Sequence, residues 1–160
     1  MIKVKIIAMG RLKEKYLREA MAEYGKRLSS LCEFEVIELE PVRLPDNPTA
    51  GEIASALKRE ADLINAKLPK NADIVAMCIE GKQLSSRGLA GFLENNAVMG
   101  GGSIAFIIGS SYGLDDSVKH SAKLKLSMSE MTFPHQLARV MLAEQIYRAF
   151  KINAGGTYHK

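Results

Sequence analysis

The sequence predicts a single α/β domain built on a mostly parallel sheet with helices on both faces. Segments with strand patterning alternate with segments of helical periodicity along the whole chain, the order that generates parallel sheets with crossover helices. Two of the strand segments, residues 73–79 (DIVAMCI) and 103–108 (SIAFII), are almost wholly apolar, as strands covered on both faces must be. The 160 residues suit one domain with one real core, and no linker, repeat or low-complexity stretch divides them. Residues 1–160 are therefore expected to form one unit.

The elements follow in order. Residues 2–9 (IKVKIIAM) are rich in β-branched residues and alternate at their start, so they read as a strand that Gly10 ends. From 13 to 31 the spacing of Leu17, Ala20, Met21, Tyr24, Leu28 and Leu31 predicts a helix, with Glu23 and Arg27 as an i,i+4 pair on its wet side. Residues 33–39 (EFEVIEL) alternate again. After a loop with prolines at 41, 45 and 48, Thr49 and Glu52 have capping-box spacing and predict a helix to about Leu68. Strand 73–79 follows, then a helix capped by Ser85 or Ser86 and running through Ala97, a turn at Gly100 to Gly102, and strand 103–108. A short helix over 115–120, a strand over 122–127 and a last helix over 134–151 complete the chain.

Composition narrows the function classes. With 47% hydrophobic and 25% charged residues the chain has the balance of an ordinary globular protein. No apolar run approaches the roughly 20 residues of a membrane span, and residues 1–9 show no charged leader or cleavage pattern, so neither a membrane partner nor secretion is expected. Cys32 and Cys78 form no metal-type spacing with each other or with the three histidines, so no metal is expected, and free cysteines suit a reducing, cytoplasmic setting. The net charge of +4 is by itself weak evidence for a nucleic-acid partner.

Ligands bind beyond the carboxyl ends of the strands in open parallel sheets. Three loops leave such ends: residues 80–82 (EGK), 109–113 (GSSYG) and 128–134 (MSEMTFP). Glycine admits close approach to the backbone, and Ser, Thr and main-chain amides offer donors without strong charge. One such turn would mean little, whereas three at one sheet edge point to a pocket. The dinucleotide fingerprint is absent after the first strand, the triple glycine at 100–102 precedes a strand, and Gly81-Lys82 lacks P-loop spacing. The apolar residues of the last helix, among them Leu137, Met141, Ile146 and Phe150, spread around most of its circumference, which suggests cover on two sides. A second copy of the chain is the candidate for one of them. His135 at the start of this helix reads equally as structural or functional, and His120 as a surface residue.

Four stretches carry a family resemblance: residues 108–114 (IGSSYGL), residues 126–135 (LSMSEMTFPH), Arg139 with the run 144–149 (EQIYRA), and the ending Tyr158-His159-Lys160. Together, and over essentially the whole chain, these resemble the RlmH-type large-subunit rRNA methyltransferases, small members of the SPOUT class. The resemblance implies a C-terminal trefoil knot, a homodimer, and S-adenosylmethionine as cofactor. The implied reaction is methylation of N3 of pseudouridine 1915 in helix 69 of 23S rRNA, with no DNA partner. It places cofactor contacts at Met77, Gly109, Met128, Ser129, Glu130, Met131, Thr132 and Phe133. The family has a second glycine where this chain has Ser110, and a serine held there at positive φ would carry a strain of about 1 kcal/mol or more.

Removal of the imide proton calls for a base, and a histidine titrates near neutrality. Tyr158 and His159 are accordingly candidates to close over the base, Tyr158 by stacking and His159 by taking the proton or holding a phosphate. Arg139 is the third catalytic candidate, meeting charge on the uracil ring or gripping RNA. The competing readings are a catalytically weak RNA-binding ribosome-assembly factor of the same fold and a different small-molecule α/β enzyme.

Overall fold

The structure is a computed structural model that describes residues 1–155. Five strands and five helices alternate. They are β1 (Lys3–Met9), α1 (Lys15–Leu28), β2 (Glu33–Leu39), α2 (Ala50–Asn65), β3 (Asp73–Gln83), α3 (Ser86–Met99), β4 (Ser103–Ile108), α4 (Asp116–Ser121), β5 (Leu124–Ser127) and α5 (His135–Asn153). The sheet order is β2-β1-β4-β3-β5, and every neighbouring pair runs parallel.

Side chains alternate across a strand, and here that alternation sorts the helices into two layers. Val4, Ile6 and Ala8 of β1, with Ile104, Phe106 and Ile108 of β4, face a core completed by Met21 of α1, Leu93 of α3 and Leu142 and Ile146 of α5. Ile7, Met9, Ala105 and Ile107 face the other way, against Ala61 and Ile64 of α2 and Val118 of α4. All six residues of β4 are buried. The expected α/β architecture with helices on both faces is thus the one observed.

Local signals hold where their chemistry is self-contained. Thr49 Oγ1 accepts from the Glu52 amide at 3.1 Å, and Glu52 Oε1 accepts from the Thr49 amide at 3.1 Å, so the box that starts α2 is closed in both directions. Ser85, not Ser86, caps α3 by accepting from the Gly88 amide. Replacing Thr49 by alanine leaves one exposed helix donor without its partner and should lower stability by about 1 kcal/mol, read as a shifted urea midpoint at unchanged slope.

Several boundaries differ from the sequence expectation. α1 is shorter at both ends than 13–31, and α2 stops at Asn65, after which Lys67 and Leu68 make only tight i→i+3 bonds to Ile64 and Asn65. β5 begins at Leu124 because Ala122 closes α4 with a bond to the Lys119 carbonyl. The largest difference is in β3, where the loop expected at 80–82 belongs to the strand. Met77 and Lys82 both pair with Leu126, and Gln83 pairs with Ser127, so residues 78–81 form a bulge and the strand then resumes. The polar residues there suggested a loop, but the carboxyl end of this strand reaches the molecular surface, where a strand need not be apolar.

Two-sided cover of α5 has an explanation within one chain. The helix packs against α1 and α3, its Leu142 and Ile146 share a core with β1 and β4, and Val140, Tyr147 and Phe150 lie against that core. Leu137 remains exposed, and Met141, one turn on, is half-buried. Among the described residues no helix is long and apolar enough to cross a membrane.

Candidate active site

The carboxyl ends of β3, β4 and β5 converge on a cavity of about 370 Å³. Residues 77–80 of the β3 bulge form one wall. Ile108, Gly109 and residues 111–114 form a second, and residues 126–129 with 131–133 a third. Lys119 of α4 and His135 and Ala138 of α5 complete the lining.

Three local arrangements shape these walls. The turn after β4 is closed by the Gly113 amide donating to the Ser110 carbonyl at 2.9 Å, and Gly113 sits at φ +88°. A Cβ on Gly109 would lie 2.3 Å from the Gly113 carbonyl oxygen, so only glycine lets the chain double back this closely. Ser110 has no positive φ, since Asn71 is the one non-glycine residue in that region among the described residues. The strain foreseen for serine at this position is therefore absent. Its hydroxyl instead donates to Glu60 Oε1 at 2.8 Å. Glu60 is 4% exposed, and its second oxygen accepts from the Val42 amide at 2.9 Å.

The wall from β5 is set by serines: Ser127 Oγ donates to the Ser129 carbonyl at 3.1 Å, and Ser129 Oγ accepts from the Met131 amide at 3.0 Å. The β3 bulge lies against β5 at Gly81, where a Cβ would fall 2.7 Å from the Lys125 backbone. Its exposed end is held by an ion pair, with Lys119 Nζ 2.5 Å from Glu80 Oε1. That hydrogen bond holds the Glu80 carboxyl below its ordinary range and the Lys119 ammonium above its own. Burial, reinforced by the charge of Glu80, pushes the Cys78 thiol up, so it is no thiolate nucleophile at neutral pH. Among the described residues no group of three or more His, Cys, Asp or Glu is placed to hold a metal ion.

Of the candidate cofactor contacts, Met77, Gly109, Met128, Ser129, Met131, Thr132 and Phe133 all line this one cavity, while Glu130 is exposed and does not. Tyr158 and His159 lie outside the described residues. Arg139, the third catalytic candidate, is placed away from the cavity lining. It is 2% exposed, with Nη1 2.5 Å from Glu38 Oε2 and Nη2 3.0 Å from the Gly10 carbonyl, and it is not part of the lining. The same Glu38 oxygen accepts from the Leu12 amide at 3.0 Å. Arg139 therefore locks the start of α5 to β1 and β2 and presents no charge to the cavity. Lys119 was not foreseen, although α4 follows the 109–113 turn so closely that its first turns must lie at the same sheet edge.

The arrangement suits a nucleoside-like molecule. Apolar side chains such as Ile108, Leu114 and Leu126 alternate with glycine backbone and serine and threonine hydroxyls, and Lys119 is the sole Lys or Arg on the walls among the described residues, a poor match for a polyphosphate. Comparison with known proteins places the chain in a family. Residues 2–159 match the family described as "Predicted SPOUT methyltransferase". The chain is 46% identical over 159 residues to Ribosomal RNA large subunit methyltransferase H of Streptococcus equi subsp. zooepidemicus, covering 99% of this chain and 100% of that one. It is 47% identical over 157 residues to the protein of the same name from Clostridium beijerinckii, covering 98% and 99%. A probable methylase family protein from Haemophilus influenzae Rd KW20 shares the fold at a TM-score of 0.54 and 11% identity, covering 97% of this chain and 70% of that one. With a glycine-walled cavity at the sheet's carboxyl edge and a family match across nearly its whole length, the chain belongs to the SPOUT methyltransferases.

Proposed function

We propose that this protein uses S-adenosylmethionine to methylate N3 of pseudouridine 1915 in helix 69 of 23S rRNA, acting as a homodimer in the cytoplasm. The observation that carries the reading is the cavity at the ends of β3, β4 and β5, in a chain that matches large-subunit rRNA methyltransferases end to end. The same reading includes a C-terminal trefoil knot.

The sulfonium of the bound cofactor supplies an already activated methyl group, which leaves the protein the tasks of alignment and proton removal. Alignment belongs to the walls. The Gly109–Gly113 turn and the serine-braced 127–131 segment offer rigid backbone donors and acceptors, and fixing two reactants in register contributes several kcal/mol. Apolar side chains from 77, 108, 114 and 126 exclude water from one side of the cavity. For proton removal we assign His159, which takes the proton from N3 as the methyl group arrives there, with Tyr158 stacked on the base. Dimerisation would cover Leu137 and Met141, the apolar remainder of α5.

Binding and catalysis are tested separately. Titration calorimetry should show saturable binding of S-adenosylmethionine. Cys78 lines the cavity while Cys32 is buried, so at alkaline pH, where its thiolate forms, the cofactor should also slow alkylation of Cys78 by a small thiol reagent. Assays on assembled ribosomes should show methylation lost in His159→Ala and in a chain ending before Tyr158. Full activity in both would remove the tail from the mechanism, and a methylated pseudouridine persisting in helix 69 of a deletion strain would remove the substrate.

A further inference from the structure

Among the described residues Glu80 is the one carboxylate side chain on the walls of the cavity. Two independent features fix its place. The β3 bulge that carries it is pressed onto β5 through Gly81, where no side chain fits against the Lys125 backbone. Lys119, reaching from α4, grips Oε1 at 2.5 Å and is itself three-quarters or more covered, with 21% of its side chain exposed. The Glu80 side chain is 57% exposed, so it stands at the open side of the cavity with its charge held but not enclosed. An isolated surface pair contributes little stability, so this one has no strong folding role to account for it.

The chemistry of a nucleoside sulfonium decides what such a carboxylate would meet. The sulfonium and the ammonium are cations, and either one brought to Glu80 would also meet Lys119 beside the same oxygen. A ribose diol is neutral, offers two O–H donors, and meets no repulsion from the lysine. Acidic side chains accept from ribose hydroxyls in other nucleotide-binding α/β folds for this reason. A carboxylate held in place before binding also loses less freedom on binding than a mobile one.

We propose that Glu80 is a ligand-binding residue whose carboxylate accepts hydrogen bonds from the ribose hydroxyls of the methyl donor, with Lys119 as the positioning residue that aims it. This rests on the reading of the cavity as an S-adenosylmethionine site. It adds a charged acceptor to a lining otherwise made of apolar side chains, hydroxyls and backbone at Met77, Gly109 and the 128–133 segment.

The test is calorimetric and needs no turnover. S-adenosylhomocysteine and 5′-methylthioadenosine share the ribose, and only the first has the amino-acid end. Glu80→Ala and Glu80→Gln should weaken both compounds by the same factor, about tenfold or more for hydrogen bonds to a charged acceptor, with the unfolding midpoint unchanged. Lys119→Met should weaken both by a smaller factor. A 2′-deoxy analogue should bind the wild type and Glu80→Ala alike. Weakened binding of S-adenosylhomocysteine alone would assign Glu80 to the amino-acid end and overturn the proposal. Unchanged binding of both by Glu80→Ala would overturn it as well. If the wild type binds neither compound, the cofactor reading itself fails and this inference with it.

Discussion

Gly109→Ala is expected to weaken cofactor binding about a hundredfold and to destabilise the fold. The added methyl group would stand 2.3 Å from the Gly113 carbonyl oxygen, 2.6 Å from its carbon and 3.0 Å from a Leu114 methyl. Two of these neighbours are backbone and cannot rotate away. Relief requires the 109–113 turn to open, which breaks the Gly113 amide bond to Ser110 and displaces Leu114, itself 5% exposed in the second core. Overpacking of this kind costs about 1–3 kcal/mol, and the movement falls on a wall of the cavity. A loss of about a hundredfold in S-adenosylmethionine affinity corresponds to about 2.8 kcal/mol, near the top of that range. Calorimetry and urea unfolding on the same preparation check both parts. Wild-type affinity in Gly109→Ala would mean that the turn is not a wall of the binding site.

Arg139→Ala should be the more damaging change to stability, although Arg139 itself does not line the cavity. Removing one member of a buried ion pair costs about 3–5 kcal/mol, because the remaining charge is left without compensation. Here the partner, Glu38, keeps 38% of its side chain exposed and can draw on water, so about 3 kcal/mol is expected. The Gly10 carbonyl loses its donor too. Arg139→Lys keeps the charge but offers a single point donor where the guanidinium reaches both Glu38 and Gly10, and about half of the loss should return. Urea unfolding of the two variants measures this. Cofactor affinity per folded molecule should stay close to wild type, which separates a structural arginine from one that touches substrate.

These two residues show what could be read in the sequence. The glycine at 109 was legible because its place after an apolar strand is a local signal. The same holds for the two covered faces of β4 and for the capping box at Thr49, each settled within a few neighbouring residues. Arg139 was not legible. Arginine is seldom fully buried, and the carboxylate that explains its burial lies 101 positions away in β2. Glu60 is a similar case, its hydrogen-bonding partner Ser110 standing 50 positions on. The bulge in β3 was hidden for another reason. It depends on Leu126 facing two residues of one strand, a register fact that no single segment contains. The pocket residues from β3, β4 and β5 were located by the rule for parallel sheets, while their assignment to a methyl donor came from family likeness.

The bond between Ser110 and Glu60 makes those positions interdependent over evolutionary time. A lineage that replaced Ser110 with glycine would leave a carboxylate facing a turn with no hydroxyl to offer. One that replaced Glu60 first would free both the serine and the Val42 amide at once. Neither step is neutral alone, so substitutions at 60 and 110 should arrive as pairs. A designer who transplants the 109–113 loop into a relative must carry the α2 residue with it.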